Sequence, residues 1–201
     1  MSRIVGYAAM LAFATAITVF GMAPSILDQG FSHRTHPLAW LGASGVSQAA
    51  WFNLCGFVLP GTLAGSALWL LRSRLPGDAR LSARIGAQLV MLSAFAFAAQ
   101  GLLPLDLEDP DGVASGLHAL AWTAWCLAFC SGALMLAWGL RSARPHPRIV
   151  AMCALAGIAV PLLAFAVPLW LPSALAQRAA FLLWFGWVAW LGRMMPSLSR
   201  A

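Results

Sequence analysis

The chain contains no lysine and very little charge of any kind. Its 201 residues include twelve arginines and six aspartates or glutamates, so 9% are charged, where a soluble domain carries about a quarter. So few charged groups cannot clothe a globule of this size, which excludes a water-soluble fold. Disorder is excluded by the opposite property, because 61% of the residues are hydrophobic and can bury ample apolar surface. Four cysteines are too few for a disulfide scaffold. With a mean hydropathy of +0.81, an integral membrane protein is left.

The charges divide the chain into uncharged runs at 4–27, 35–71, 85–105, 112–140, 149–177 and 179–192. Crossing ~30 Å of hydrocarbon takes about 20 apolar residues, and five of the runs reach that length. The last has 14 residues, but Arg178 and Arg193 bracket it and can reach toward the interfaces. Its Phe181, Trp184, Phe185, Trp187 and Trp190 are membrane content. The expected fold is all-α, a single domain over 1–201 holding a six-transmembrane-helix bundle. Its helices are expected at about 4–24, 43–71, 84–104, 113–140, 148–171 and 174–195. The stretch from Thr35 to Ser44, with Pro37 and Gly42, reads as an outer loop or interfacial segment. Runs of this length do not suit barrel strands, which alternate with period two.

Arginine placement sets the expected orientation. With the N-terminus inside, Arg3, Arg72, Arg74, Arg80, Arg84, Arg141, Arg144, Arg148, Arg193 and Arg200 lie on the inner side, and only Arg34 and Arg178 outside. Asp28, Asp106, Glu108, Asp109 and Asp111 fall outside, with Asp78 alone inside. The positive-inside rule then puts both termini in the cytoplasm. The first helix has the Arg3 start of a signal peptide, but its long core and the lack of an A-x-A site predict that it is retained. Headgroup anchoring accounts for the net charge of +6, so no nucleic-acid partner is expected.

Small residues at Gly61 and Gly65, at Gly132 with Ala133, and at Ala154 with Gly157 allow close helix packing in lipid. Pro60, Pro161 and Pro168 should kink or break the second and fifth helices. Similar endings of the second and fourth helices, Leu-Arg72-Ser-Arg74 and Leu-Arg141-Ser-Ala-Arg144, reflect small-residue helices closing on arginine more simply than a duplicated hairpin.

In an apolar bundle the informative residues are those costly to bury. Gln48 is expected in the outer half of the second helix and Asn53 near its middle, with Gln100 near the outer end of the third and His118 just inside the fourth. Asp106 opens the outer loop between the third and fourth helices, and Asp28, His33 and His36 lie in the first outer loop. The inner half holds almost none. A structural brace is the favoured role for His118, with Asp106 as its partner across the tight connection. A general base or metal ligand oriented by Asp106 is the alternative.

His33 and His36 stand three apart, but Pro37 disfavours helix there. A divalent-metal site from His33, His36 and His118 with Asp106 or Asp28 therefore rests on composition only. The acidic loop from Asp106 to Gly112 lacks the spacing of an EF-hand. Cys55, Cys126, Cys130 and Cys153 read as apolar filler. Trp40, Trp51, Trp69, Trp138 and Trp170 suit interfacial belts, while Trp122 and Trp125 fit packing better than a pocket wall. Haem is disfavoured, because only His118 is clearly intramembrane. So is a gradient-driven carrier, which needs ionisable groups at the midplane.

The stretch Ser47-Gln-Ala-Ala-Trp-Phe-Asn53-Leu-Cys-Gly56, running on to Pro60-Gly61, and the pair Gly101-Leu-Leu-Pro104-Leu-Asp106 and Gly116-Leu-His118 carry a family likeness. The chain resembles a bacterial six-helix membrane family catalogued as domain of unknown function 998. The matching positions are Asn53, Gly56, Gly61, Gly101, Pro104, Asp106 and His118, and Leu103 stands where an aromatic is frequent. The resemblance implies six helices in a bacterial inner membrane and no known reaction. Three functions are expected in order. The first is an outward-facing polar pocket of Asn53, Gln100, Asp106 and His118 that binds a small or lipid-like ligand. The second is a membrane hydrolase, with or without a metal, in which Asp106 and His118 activate water and Ser44, Ser47 or Ser115 polarises a carbonyl. The third is a scaffold without chemistry. Nothing after His146 is histidine, which weighs against ceramidase-type hydrolysis.

Overall fold

The computed structural model describes residues 2–27, 30–75, 79–141 and 147–198. Asp28, Asp78, Arg144 and His146 lie outside them. Among the described residues all regular structure is helical and there is no strand. Six helices follow in order: α1 (Ser2–Leu27), α2 (Ala49–Arg72), α3 (Leu81–Leu102), α4 (Val113–Leu140), α5 (Pro147–Leu169) and α6 (Ser173–Leu198). Five of them, α2 to α6, contain stretches long and apolar enough to cross a membrane, while the apolar stretch in α1, Gly6–Met22, is shorter. The protein is a multi-pass helical membrane protein.

One boundary differs from expectation. The second helix begins at Ala49 rather than near residue 43. Before it, Leu38–Gly42 forms a short 3-10 turn with Leu38, Ala39, Leu41 and Gly42 buried. Gln48 then takes a left-handed conformation, φ 60°, and is exposed. The whole stretch is uncharged, so no polar mark separates the buried loop from the helix. Asn53 therefore lies one turn from the start of α2, not at its middle.

Each helix packs on its sequence neighbours, and α6 closes the arrangement against α1. Helix α6 also turns its aromatic side chains into the bundle. Its rings meet Phe20 of α1, Phe57 of α2, Phe97 of α3 and Trp125 of α4, and it packs on α5.

The tightest seam joins α3 to α4 through glycine. A Cβ at Gly86 would lie 2.5 Å from the Leu136 nitrogen, and one at Gly132 would lie 2.7 Å from the Val90 nitrogen. One at Gly139 would overlap the Ala83 backbone. These contacts bring the two backbones together, as small residues permit in lipid. Gly61 does the same for α2 against Ala98. The prolines stand beside widened helical turns, and α2 continues past Pro60 to Arg72. A π-helical stretch, Asn53–Val58, precedes Pro60, and Leu162–Ala166 between Pro161 and Pro168 is again π-helical. Proline removes a backbone donor, and the widened turn accommodates that loss.

One end of the bundle collects the connections 30–48, 103–112 and 170–172. Ser44 N donates to the Leu105 carbonyl at 2.8 Å, and Leu38 N donates to Gln177 Oε1 at 3.1 Å. This is the acidic end, with Asp106, Glu108, Asp109 and Asp111. Arg72, Arg74, Arg80, Arg84 and Arg141 mark the opposite, basic end. Trp51 and Trp170 near the acidic end and Trp69 and Trp138 near the basic end are exposed, in keeping with two interfacial belts. All four cysteines are free thiols.

Candidate functional site

At the acidic end four helices each place a polar side chain about one turn outside an aromatic ring. The pairs are Asn53 and Phe57 on α2, Gln100 and Phe97 on α3, His118 and Trp122 on α4, and Arg178 and Phe181 on α6. The rings touch one another: centroids are 5.3 Å apart for Phe57 and Phe97, 4.9 Å for Phe97 and Phe181, and 5.3 Å for Trp122 and Phe181. They form one aromatic cluster. Each polar residue stands about one turn, ~5.4 Å, outside the ring on its own helix, and the four make up a staggered polar layer. All four are buried, at 9% exposure or less.

The antiparallel register of α3 and α4 locates two of them more finely. Gly86 meets Leu136, Val90 meets Gly132, and Phe97 meets Trp125. Extended by one turn, that register sets Gln100 level with Trp122 and brings Leu103 beside His118. The latter contact is made: His118 Nδ1 lies 2.8 Å from the Leu103 carbonyl oxygen. A carbonyl only accepts, so Nδ1 carries the proton and donates it. In neutral His118 the lone pair is then on Nε2, which makes no hydrogen bond to a described residue. A backbone carbonyl holding one imidazole nitrogen so that the other is presented is how proton acceptors and ligands are oriented. The ring stands edge-on to Phe57 at 6.5 Å.

Asp106 is not the partner of His118. Its Oδ1 accepts from Glu108 N at 3.0 Å and Asp109 N at 3.3 Å, a local turn that caps its own loop. Ser115 is committed to the same loop. It accepts from Asp106 N, and its one proton is shared between the carbonyls of Asp106 and Asp109. His118 is braced by the main chain of Leu103, and Asp106 and Ser115 shape the connection that carries it.

Gln100 stands apart from every other amide in the layer. It is 1% exposed, and neither Oε1 nor Nε2 has a hydrogen-bond partner among the described residues. A buried polar group left unpaired costs about 1–3 kcal/mol. The indole nitrogens of Trp125 and Trp184 also lack a partner among the described residues, but each is one donor on a large apolar ring. Asn53 is satisfied: its Nδ2 donates to the Gly42 carbonyl at 2.8 Å and ties the 3-10 turn to α2.

Arg178 is the residue that sequence reasoning missed, having been read as an interfacial bracket. It is 9% exposed. Its Nε donates to His33 Nδ1 at 3.0 Å, its Nη1 to the Ala174 carbonyl at 2.6 Å, and its Nη2 to the His36 carbonyl at 2.9 Å. The guanidinium also lies over Phe31 at 5.5 Å. A sequence signal existed: Arg178 shares the spacing of Phe181 and Phe185, so an aromatic face turned inward takes Arg178 with it.

The two remaining predicted residues belong to this second cluster. Burial, and then the charge of Arg178, hold the His33 imidazole below its ordinary value. His36 stacks on Trp40 at 4.5 Å, and its Nδ1 accepts from Ser32 N at 3.1 Å. Among the described residues no three of His, Cys, Asp or Glu come together to hold a metal ion, so His33, His36 and His118 are not assembled into one site. Asp28, named with them, lies outside the described residues.

No family model, no curated protein and no solved structure matches this chain.

Proposed function

We propose that the chain is a six-span protein of a bacterial inner membrane, with both termini cytoplasmic and the acidic end outward, that binds a small or lipid-like ligand in its polar layer. One observation carries the binding reading. Gln100 holds a full amide in the bundle with no partner for either atom among the described residues, and a ligand that completes its hydrogen bonds would remove that penalty. The free Nε2 of His118 and the aromatic layer below offer a ligand one further polar contact and an apolar bed. The arginine-rich basic end supports the orientation, and α1 supplies the sixth span. The family resemblance points the same way, since Asn53, Gly101, Asp106 and His118 all belong to this end.

The test is native mass spectrometry of protein extracted from its own membrane. Wild type is expected to retain a bound amphiphile that Gln100→Met and His118→Ala lose. Equal retention by all three would refute the pocket.

The hydrolase reading has less support. Ser115 is fully occupied, Ser44 and Ser47 are exposed, and Asp106 faces its own loop. A metal-dependent version is tested by elemental analysis of wild type and His118→Ala. A stoichiometric metal lost in the variant would revive it.

A further inference from the structure

We infer that the ligand of the polar layer is an anion, a phosphate or carboxylate on an apolar chain, and that Arg178 receives its charged head. This rests on the binding reading above and names the chemistry of the ligand. The argument begins with the burial of a permanent charge. Arginine does not lose its proton in proteins, so a guanidinium at 9% exposure calls for a counter-charge or a full set of acceptors.

Among the described residues Arg178 has no carboxylate within ion-pair reach. Its three acceptors are the neutral His33 imidazole and the carbonyls of Ala174 and His36. A guanidinium has five N–H groups. One on Nη1 and one on Nη2 are left without a hydrogen bond to a described residue. Two donors beside a permanent charge match a two-oxygen anionic head.

Position makes the same point. Arg178 stands one turn outside Phe181, and Phe181 meets both Phe97 and Trp122. Gln100 is one turn outside Phe97 and level with Trp122, so the cation and the unpaired amide border the same cluster of rings. A head at Arg178 can extend its neutral part to Gln100 and its chain along the rings. Two of the three contacts to Arg178 come from the loop segment at His33 and His36, which acts as a neutral stand-in for the anion.

The experiment measures thermal shifts of detergent-purified full-length protein with chain-matched probes below their micelle concentrations. These are dodecyl phosphate, laurate, dodecanol and dodecyltrimethylammonium, with inorganic phosphate alone as a further arm. The expected result is saturable stabilisation of wild type by dodecyl phosphate and laurate, weak or none by the neutral and cationic probes. Stabilisation by inorganic phosphate at comparable concentration would assign the head to a free ion instead of a lipid.

Arg178→Gln should weaken the anionic probes by about tenfold or more, as expected for loss of charge-assisted bonds. Arg178→Lys, which keeps charge and loses the fork, should fall between. His33→Ala decides against a merely structural clamp, because it frees the Nε donor without touching the charge. It should leave the anionic shift intact or strengthen it, and it carries the test if Arg178→Gln does not fold. Equal loss in His33→Ala and Arg178→Gln overturns the inference, as does anion binding that Asp28→Asn strengthens tenfold, which would identify Asp28 as the resident counter-ion. If probes of every charge stabilise wild type equally and Gln100→Met abolishes the effect, the pocket stands and the anion assignment fails. If no probe stabilises wild type, the binding reading itself has failed.

Discussion

Replacing Gln100 with methionine removes the two unpaired amide atoms while nearly conserving side-chain volume. In the structure the residue is 1% exposed and neither amide atom has a partner among the described residues. Relieving an unsatisfied buried amide is worth about 1–3 kcal/mol. A volume-conserving swap in a packed core gives back less than about 1.5 kcal/mol. With the penalty taken near the middle of its range and little repacking strain, Gln100→Met should stabilise the ligand-free protein by about 1–2 kcal/mol. For a chain of this size each kcal/mol moves the melting point by roughly 2–4 °C, so Tm should rise by about 2–8 °C. The assay is thermal unfolding of delipidated protein in a mild detergent, followed by intrinsic fluorescence of the ten tryptophans. The same pair measured in native lipid extract should narrow or change sign, because wild type alone gains the ligand. A fall in Tm for delipidated Gln100→Met would refute the reasoning, since the amide would then have been making bonds that methionine cannot replace.

The glycine seam is tested by a contrasting pair. Gly86→Ala forces a Cβ to within 2.5 Å of the Leu136 nitrogen and should cost about 3 kcal/mol or more. Gly116→Ala, in the same helical hairpin but with open space around its Cα, should stabilise by up to ~1 kcal/mol through helix propensity; equal effects on Tm would contradict the close approach. Asn53→Ala should lose about 1–3 kcal/mol by orphaning the buried Gly42 carbonyl, and faster hydrogen exchange over 38–44 is the local sign to look for. The last prediction concerns pH. His33 has its folded value lowered by burial and by Arg178, so the unfolded loop binds a proton more readily than the folded one. The contribution is complete above the ordinary histidine value of about 6.5 and declines as pH falls from there toward the lower folded value. Exchange of amides 31–36 should therefore speed up on acidification through that window, and His33→Gln should flatten the response. An unchanged profile in the variant would show that another group controls the loop.

Much of the helical plan is legible from where arginine and the acids stand. Helices α3 to α6 lie within a few residues of the spans that uncharged runs mark out, because a charge cannot be left in hydrocarbon. The start of α2 is hidden for the same reason, since the loop before it is apolar and buried. The candidate site is legible in its residue types and misread in its pairings. Asp106 and His118 are near in sequence, yet the carboxylate has two nearer donors in Glu108 N and Asp109 N, and local turns win over a partner that needs exact placement. Arg178 was hidden by a general rule, that arginine beside a span reaches for the interface. The rule gives way here because the first loop folds over the end of α6 and supplies acceptors.

The α3–α4 seam also decides where the molecule can move. Two backbones in direct contact behave as one stiff plate, and parting them would strip contacts along several turns at once. Elsewhere the helices meet through side chains. Phe20, Phe57 and Phe181 meet between α1, α2 and α6 with centroids about 6 Å apart. Rotating a ring is a far smaller event than separating two main chains. Movement between helices is therefore easier at that aromatic corner than along the glycine seam.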